Sequence, residues 1–376
     1  MSSRLRLLHE WTAQLGGLLP QARVTRVRVL ALLSLGMILA GTSRITQVAA
    51  ALPLGVRVPS SERRLRRFLA NPAVDQATLW WPLLPALLAR WAGREVTLVF
   101  DPTPYRGDFT VLWVGVVLHR RVLPLGWRIV PQQDPWPARL ASLLPSLLAP
   151  IAAALPPGCQ VTLVGDAGLS GPGFLDTARE LGWDVVLRVN TSATQAHRVR
   201  LLDAAGEPGP AARLWDVVAA APTGWHAAAE IFKGAGWRQG FLTVCRRPGC
   251  AEPWVLFSSR SGGAARVREY ARRARVEATF ADSKTRGWGL EHSRLRERTH
   301  LDRLLLAWHL SLWWLHALGR EVIKSGRRAH FDRRDRRDRS VVRLGWLDLL
   351  QALLLARVPR LLFRSVAGGW VARGTP

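Results

Sequence analysis

Apolar residues recur at helical spacing through residues 1–92. Two apolar-periodic runs, 4–19 and 24–40, precede Gly41-Thr42-Ser43, and a third run covers 45–52. Pro59-Ser60-Ser61-Glu62 then opens a segment in which Arg63, Arg64, Arg66 and Arg67 interleave with Leu65, Phe68 and Leu69, with Ser60 or Ser61 as the expected N-cap. Together with the 45–52 helix it makes a helix-turn-helix-like pair. At Glu95 the period changes. Buried-strand patterns at 96–100, 109–119 and 122–130 are followed by a proline-interrupted apolar helix at 136–155. Strands at 161–165 and 184–189 flank a short helix at 171–181. That order predicts an α/β fold built on a mixed sheet with helices on its faces. From 190 to 257 short β-like runs (214–218, 225–232, 240–245 and 254–257) alternate with Gly/Pro turns, and Arg246-Arg247-Pro248-Gly249 has hairpin chemistry. A basic amphipathic helix near 270–284, an apolar helix at 301–318, a charge-dense tract at 327–339 and an apolar helical region at 344–363 complete the chain.

A chain of 376 residues has room for two or three domains. A net charge of +26 and a pI near 11.7 ask for a polyanionic partner, nucleic acid foremost and an anionic membrane surface as the competitor. The helix carrying Arg63, Arg64, Arg66 and Arg67 is the candidate DNA contact; the alternative is a basic surface helix that docks on another domain. The uncharged stretch 29–43 is shorter than the ~20 residues a span requires. Pro145, Pro150, Pro156 and Pro157 break the uncharged stretch 140–165. Both read as buried helices, so no membrane is expected. No secretory signal pattern is visible and Cys159, Cys245 and Cys250 make no disulfide framework, which predicts a cytoplasmic protein, nucleoid-associated when bound to DNA. Cys245 and Cys250 could be half of a zinc site but lack a second pair. His309 and His316 read as helix packing.

The chemistry gathers at 270–284. Tyr270, Arg273, Glu277 and Lys284 stand at Tyr-x2-Arg-x3-Glu-x6-Lys. At about 100° per residue all four fall within an arc roughly 60° wide on one continuous helix, beside a smooth stripe of Ala271, Ala274, Ala278 and Ala281 suited to close packing. The chain has two tyrosines and three lysines against fifty arginines, so Tyr270 and Lys284 are not generic choices. A solvated charged face is the competing reading. Upstream, Asp101 and Asp166 each end a buried strand, and strand ends are where sites form in α/β sheets. Asp101 before Pro102-Thr103-Pro104, or Asp166 in Gly165-Asp166-Ala167-Gly168, could alone be a turn residue. Neighbouring strands would bring the two carboxylates face to face, where they need a cation, and Glu277 from an overlying helix would complete a two-metal site suited to phosphoryl transfer on nucleic acid.

On these residues the sequence resembles the DDE transposases of bacterial insertion sequences, in particular the insertion-sequence-four group. Tyr270, Arg273, Glu277 and Lys284 match that group's signature without a gap, Asp101 and Asp166 match its first two acids, and a β-rich stretch separates Asp166 from Glu277. The resemblance covers about residues 40–355 and is looser at the N-terminal end. It implies an RNase H-like catalytic domain interrupted by a β-rich insertion, with helical N- and C-terminal regions. The expected division is 1–92 for DNA binding, 93–190 and 258–320 for the two parts of the catalytic domain, 191–257 for the insertion and 321–376 for the C-terminal region. It further implies that Asp101, Asp166 and Glu277 hold two Mg²⁺ ions, with Mn²⁺ as substitute, and that Tyr270, Arg273 and Lys284 hold phosphates. Double-stranded DNA, as transposon ends and as target, would be the partner of a synaptic homodimer. Cleavage by water, then joining of the 3′-OH to target, would follow, in a cut-and-paste reaction. Trp225, Trp237 and Trp254 are the candidates for stacking on an extruded base. The alternatives are an inactive transposase-derived DNA-binding protein and an RNase H-like nuclease.

Overall fold

The computed structural model describes residues 2–169, 171–191, 197–250, 252–283, 287–366 and 369–372. Its centre is a ten-stranded sheet in the order β3-β2-β1-β4-β5-β10-β9-β8-β6-β7. The strands are β1 (Glu95–Tyr105), β2 (Phe109–Leu118), β3 (Arg121–Pro131), β4 (Gln160–Gly165), β5 (Asp184–Arg188), β6 (Arg198–Leu201), β7 (Ala212–Arg213), β8 (His226–Ile231), β9 (Arg238–Cys245) and β10 (Trp254–Ser258). β1, β2 and β3 form the expected antiparallel meander, and β4 and β5 add in parallel to β1 through helical crossovers. β10 then pairs antiparallel with β5, so the 198–258 strands extend the same sheet.

Two local expectations are corrected. Residues 214–218 form the start of a helix, Leu214–Ala220, rather than a strand. Leu214 and Val218 stand four apart and are both buried, and Asp216 lies in the first turn, where a carboxylate favours the helix dipole. β1 does not end at Asp101 but runs on to Tyr105, because β2 keeps pairing with it, Asp101 opposite Trp113. Its parallel ladder with β4 does end just before Asp101, at Val99 opposite Val164. Beyond that point one side of β1 is an edge, where Pro102 and Pro104 are tolerated.

The helices enclose the sheet and fix its ends. Arg298–Lys324, apolar and buried through most of its 27 residues, is the central pillar. It crosses Val341–Leu354 at backbone contact: a Cβ on Gly319 would lie 1.7 Å from the Val341 carbonyl oxygen, and one on Gly345 1.9 Å from that of Leu315. Its His309 is wedged between Trp80 and Trp127, with ring centroids 5.4 and 4.1 Å away. Leu140–Ala154 carries Pro145 and Pro150 within it and rests on β3 at Gly126, where a Cβ would meet Leu147 at 3.2 Å. Trp136–Ala154 is long and apolar enough to cross a membrane by length and composition, and in this fold Leu144, Leu148 and Ile151 are buried.

The basic helix is Val58–Ala70, paired with Ile45–Ala51. Its N-cap is Arg57, with Pro59 in the first turn; Ser60 and Ser61 lie inside the helix, because proline's fixed φ starts the helix earlier than a serine cap would. Leu65, Phe68 and Leu69 are buried, while Arg63, Arg64, Arg66 and Arg67 are all exposed. The far end is held by the buried Arg303, which donates to the Leu69 and Val74 carbonyls at 2.6 and 2.9 Å. A cation at a helix C-terminus also suits the helix dipole.

Candidate functional site

The chemistry converges beyond the end of β4. Asp166 follows β4 directly, and its Oδ1 accepts from the Ala167 backbone N–H at 2.7 Å. Asp101, buried on the adjacent β1, shares a strand face with Thr97, four residues earlier. One guanidinium joins the two acids: Arg273 Nη2 lies 2.5 Å from Asp101 Oδ1 and 2.9 Å from Asp166 Oδ2. Tyr270 donates its hydroxyl to Asp166 Oδ1 at 3.0 Å. Arg272 reaches Thr97 Oγ1 at 3.2 Å, so consecutive arginines grip the same face of β1.

The helix that carries these groups is broken. The expected continuous helix is three pieces: Ala264–Ala271, a 3₁₀ turn at Arg272–Ala274 and Arg275–Ser283. Tyr270 and Arg273 point at the aspartates, while Glu277 is exposed on the last piece. The packed face is not the alanine stripe but Val276 and Thr279, both buried; the Thr279 hydroxyl accepts from the Val122 backbone N–H at 3.1 Å. Arg121 and Asp282 pair at 2.7 Å across the same contact. The pairing of Tyr270 and Arg273 was legible in their spacing; the 3₁₀ turn at Arg272–Ala274 was not. Lys284 lies outside the described residues.

Electrostatics follow from this geometry. Burial pushes the Asp101 carboxyl up to about 6; Arg273 opposes that shift, and Asp166 and Glu277 reinforce it. Burial, then the Asp166 charge, raises the Tyr270 hydroxyl above its ordinary value, so it stays a hydrogen-bond donor. Burial works against the Arg273 cation, but Asp101 and Asp166 outweigh it. Two hard carboxylates thus converge on one cation, which is the donor set and position that a divalent ion bound by oxygen would use. Among the described residues no three acidic, imidazole or thiol groups form a metal cluster, and the Glu277 charge acts on Asp101 beside that of Asp166.

The aromatic candidates separate by setting. Trp254 packs edge-on against Tyr270, centroids 4.9 Å apart, with the Arg247 guanidinium over it at 4.5 Å. Trp225, like Trp254, is half-buried against the hydrophobic core, whereas Trp237 lies outside that core and is covered by Arg200 at 4.4 Å. Trp215, on the Leu214–Ala220 helix, is 52% exposed. Around the basic helix, Arg63, Arg64 and Arg67 line an open cleft of about 530 Å³ with Thr25 and Arg26.

Residues 141–314 match the family model of the transposase DDE domain. The match takes in Asp166, Tyr270, Arg273 and Glu277 and begins downstream of Asp101. It supports a DDE transposase, and with it functions in transposition and DNA recombination. A search among curated proteins gives no match.

Proposed function

We propose that this chain is a DNA transposase with an RNase H-like catalytic domain, binding the terminal inverted repeats of its own element and moving it by cut-and-paste. The observation that carries the reading is the convergence of Asp101 and Asp166, from parallel neighbours β1 and β4, on one cation beneath the turn that leads to Glu277. The β3-β2-β1-β4-β5 order supports it, as does the family match. Asp101 and Asp166 would hold divalent ions, Mg²⁺ or Mn²⁺ and two per site, with Glu277 completing the set. Such ions supply a nucleophilic hydroxide and stabilise the leaving oxygen of an in-line displacement. Arg273, once displaced from the aspartates, is placed to take a DNA phosphate bidentately. Tyr270 keeps its proton and orients Asp166. The exposed arginines of Val58–Ala70 hold the end of the element, in a homodimer that brings two ends together.

The test is strand cleavage. The protein is incubated with a labelled duplex carrying the sequence that flanks its gene, with Mg²⁺, Mn²⁺ or chelator. Metal-dependent nicks at the repeat boundary, absent in Asp101→Ala, are expected. Glu277→Gln abolishes nicking and retains end binding; loss of binding in that variant would make Glu277 structural. A second reading, an inactive DNA-binding descendant, draws on the Arg273 bridge that already occupies both acids and on the lack of a three-group metal cluster among the described residues. Binding without cleavage under any metal would select it.

A further inference from the structure

A second cationic surface stands apart from the basic helix. A cleft of about 940 Å³ opens between the β2–β3 turn, the Arg275–Ser283 helix, the end of Arg298–Lys324 and the 328–343 segment. Eight arginines and two aspartates line it, and it shares no lining residue with the clefts around Val58–Ala70. Asp282 is already engaged, by Arg121 at 2.7 Å and by the Ser340 hydroxyl at 3.1 Å. Arg328 is paired with Asp332 at 2.8 Å. Among the described residues Arg120, Arg275, Arg320, Arg339 and Arg343 have no carboxylate partner.

These cations crowd one another. Burial lowers Arg275 below its ordinary value, and Arg272 and Arg120 lower it further. Burial lowers Arg320 as well, and its Nε is enclosed without a hydrogen-bond partner, as is Nε2 of His119 on the same wall. Like charges held together at this cost of desolvation and repulsion are relieved by an anion. The lining contains no Trp, Tyr or Phe. A groove for single strands uses aromatic platforms for the bases, so this one is suited to a duplex backbone and reads no sequence. Arg275 places the cleft on the same helix that carries Glu277, which is not among its lining residues.

We infer that this cleft binds the phosphate backbone of the second duplex, the DNA that receives the cut end, while the Val58–Ala70 helix holds the end being cut. The inference rests on the transposase reading. Its consequence is a separation of function: the cleft governs joining and sequence-independent binding, and leaves end cleavage alone.

The test uses the full chain and the double variant Arg120→Glu/Arg343→Glu, both positions exposed and outside the catalytic set. Binding of a fluorescent random-sequence duplex is followed by anisotropy across a salt series. The expected result is an affinity lowered about tenfold or more and a salt slope reduced by about 2, since each lost phosphate contact removes about 0.9. Arg120→Lys/Arg343→Lys keeps the binding, which separates loss of charge from misfolding. Nicking at the repeat boundary continues in the Glu variant, and joining to a plasmid target falls by a similar factor. Unchanged affinity and slope would overturn the inference, and so would a parallel loss of nicking and joining. If the unmodified protein nicks nothing, the transposase reading fails, and the anisotropy arm still decides whether the cleft binds duplex.

Discussion

Arg273 is the residue on which the two aspartates depend. Without a cation between them, Asp101 and Asp166 would face each other across adjacent strands, one of them buried. Removing one partner of a buried ion pair costs roughly 3–5 kcal/mol because the remaining charge is stranded. Arg273→Ala is therefore expected to lower the melting temperature clearly in chelator. Divalent metal should restore more of the loss than it adds to the unmodified protein, where the ion must first displace the guanidinium. Melting curves with chelator and with Mg²⁺ on both proteins decide it; equal metal-induced shifts would mean that Arg273 and metal do not share the position. The spacing of Tyr270 and Arg273, three apart on a helix, made their shared direction legible in sequence. Their partner did not emerge from spacing: that Asp166 would accept from Tyr270 required β4 to end beneath this turn, a long-range fact. The number of alanines near Glu277 was misleading for a related reason. Small residues permit close packing, but Val276 and Thr279 bury more surface and took the inner face.

Among the elements, the Val58–Ala70 helix shows how amphipathicity divides labour. Leu65 is fully buried and anchors the helix to the core, and the arginines on the opposite face touch solvent. Leu65→Ala should cost about 2–5 kcal/mol through the cavity it leaves, and Arg64→Glu/Arg67→Glu should cost little stability. The two changes thus separate fold from binding. In a shift assay on the end duplex, Arg64→Glu/Arg67→Glu is expected to weaken binding at least about tenfold with a shallower salt slope, its helical circular dichroism unchanged. Full retention of end binding would assign the helix to domain docking, the competing reading of its charge. Long periodic elements such as Val24–Ala40, whose bounds match the expected ones, were readable from the sequence because one face pattern persists over several turns. Shorter ones were not. Leu214–Ala220 has seven residues, too few for β-like composition and helical spacing to be told apart. The 3₁₀ turn at Arg272–Ala274 interrupts a helix with neither proline nor glycine, so no local residue announces it.

For the whole molecule, the consequence of this packing is sensitivity to acid. Burial holds His309 and His316 well below the ordinary imidazole value of 6.5, and His119 is pushed down to about 4 by burial and then by Arg320, Arg90 and Arg275. All three stay neutral in the folded chain where the unfolded chain takes up protons. Their stabilisation is present above pH 6.5 and is lost as pH falls, each fully buried histidine removing up to about 1.4 kcal/mol per pH unit and the half-open His119 less. Asp101 acts in the opposite sense. Raised to about 6 from an ordinary 3.8, it binds its proton first in the folded state and returns stability as pH falls through that window. The histidines outnumber it, so the urea midpoint should fall between pH 7 and pH 5 while the secondary structure at zero denaturant persists. Asp101→Asn deletes one opposing group, leaving Asp302, which burial also raises, and should make the fall steeper. A midpoint that does not change over that range would show that the histidines titrate as they do in the unfolded chain and that the pillar around His309 and His316 is open to water; an Asp101→Asn slope equal to that of the unmodified protein would show the same for Asp101 alone.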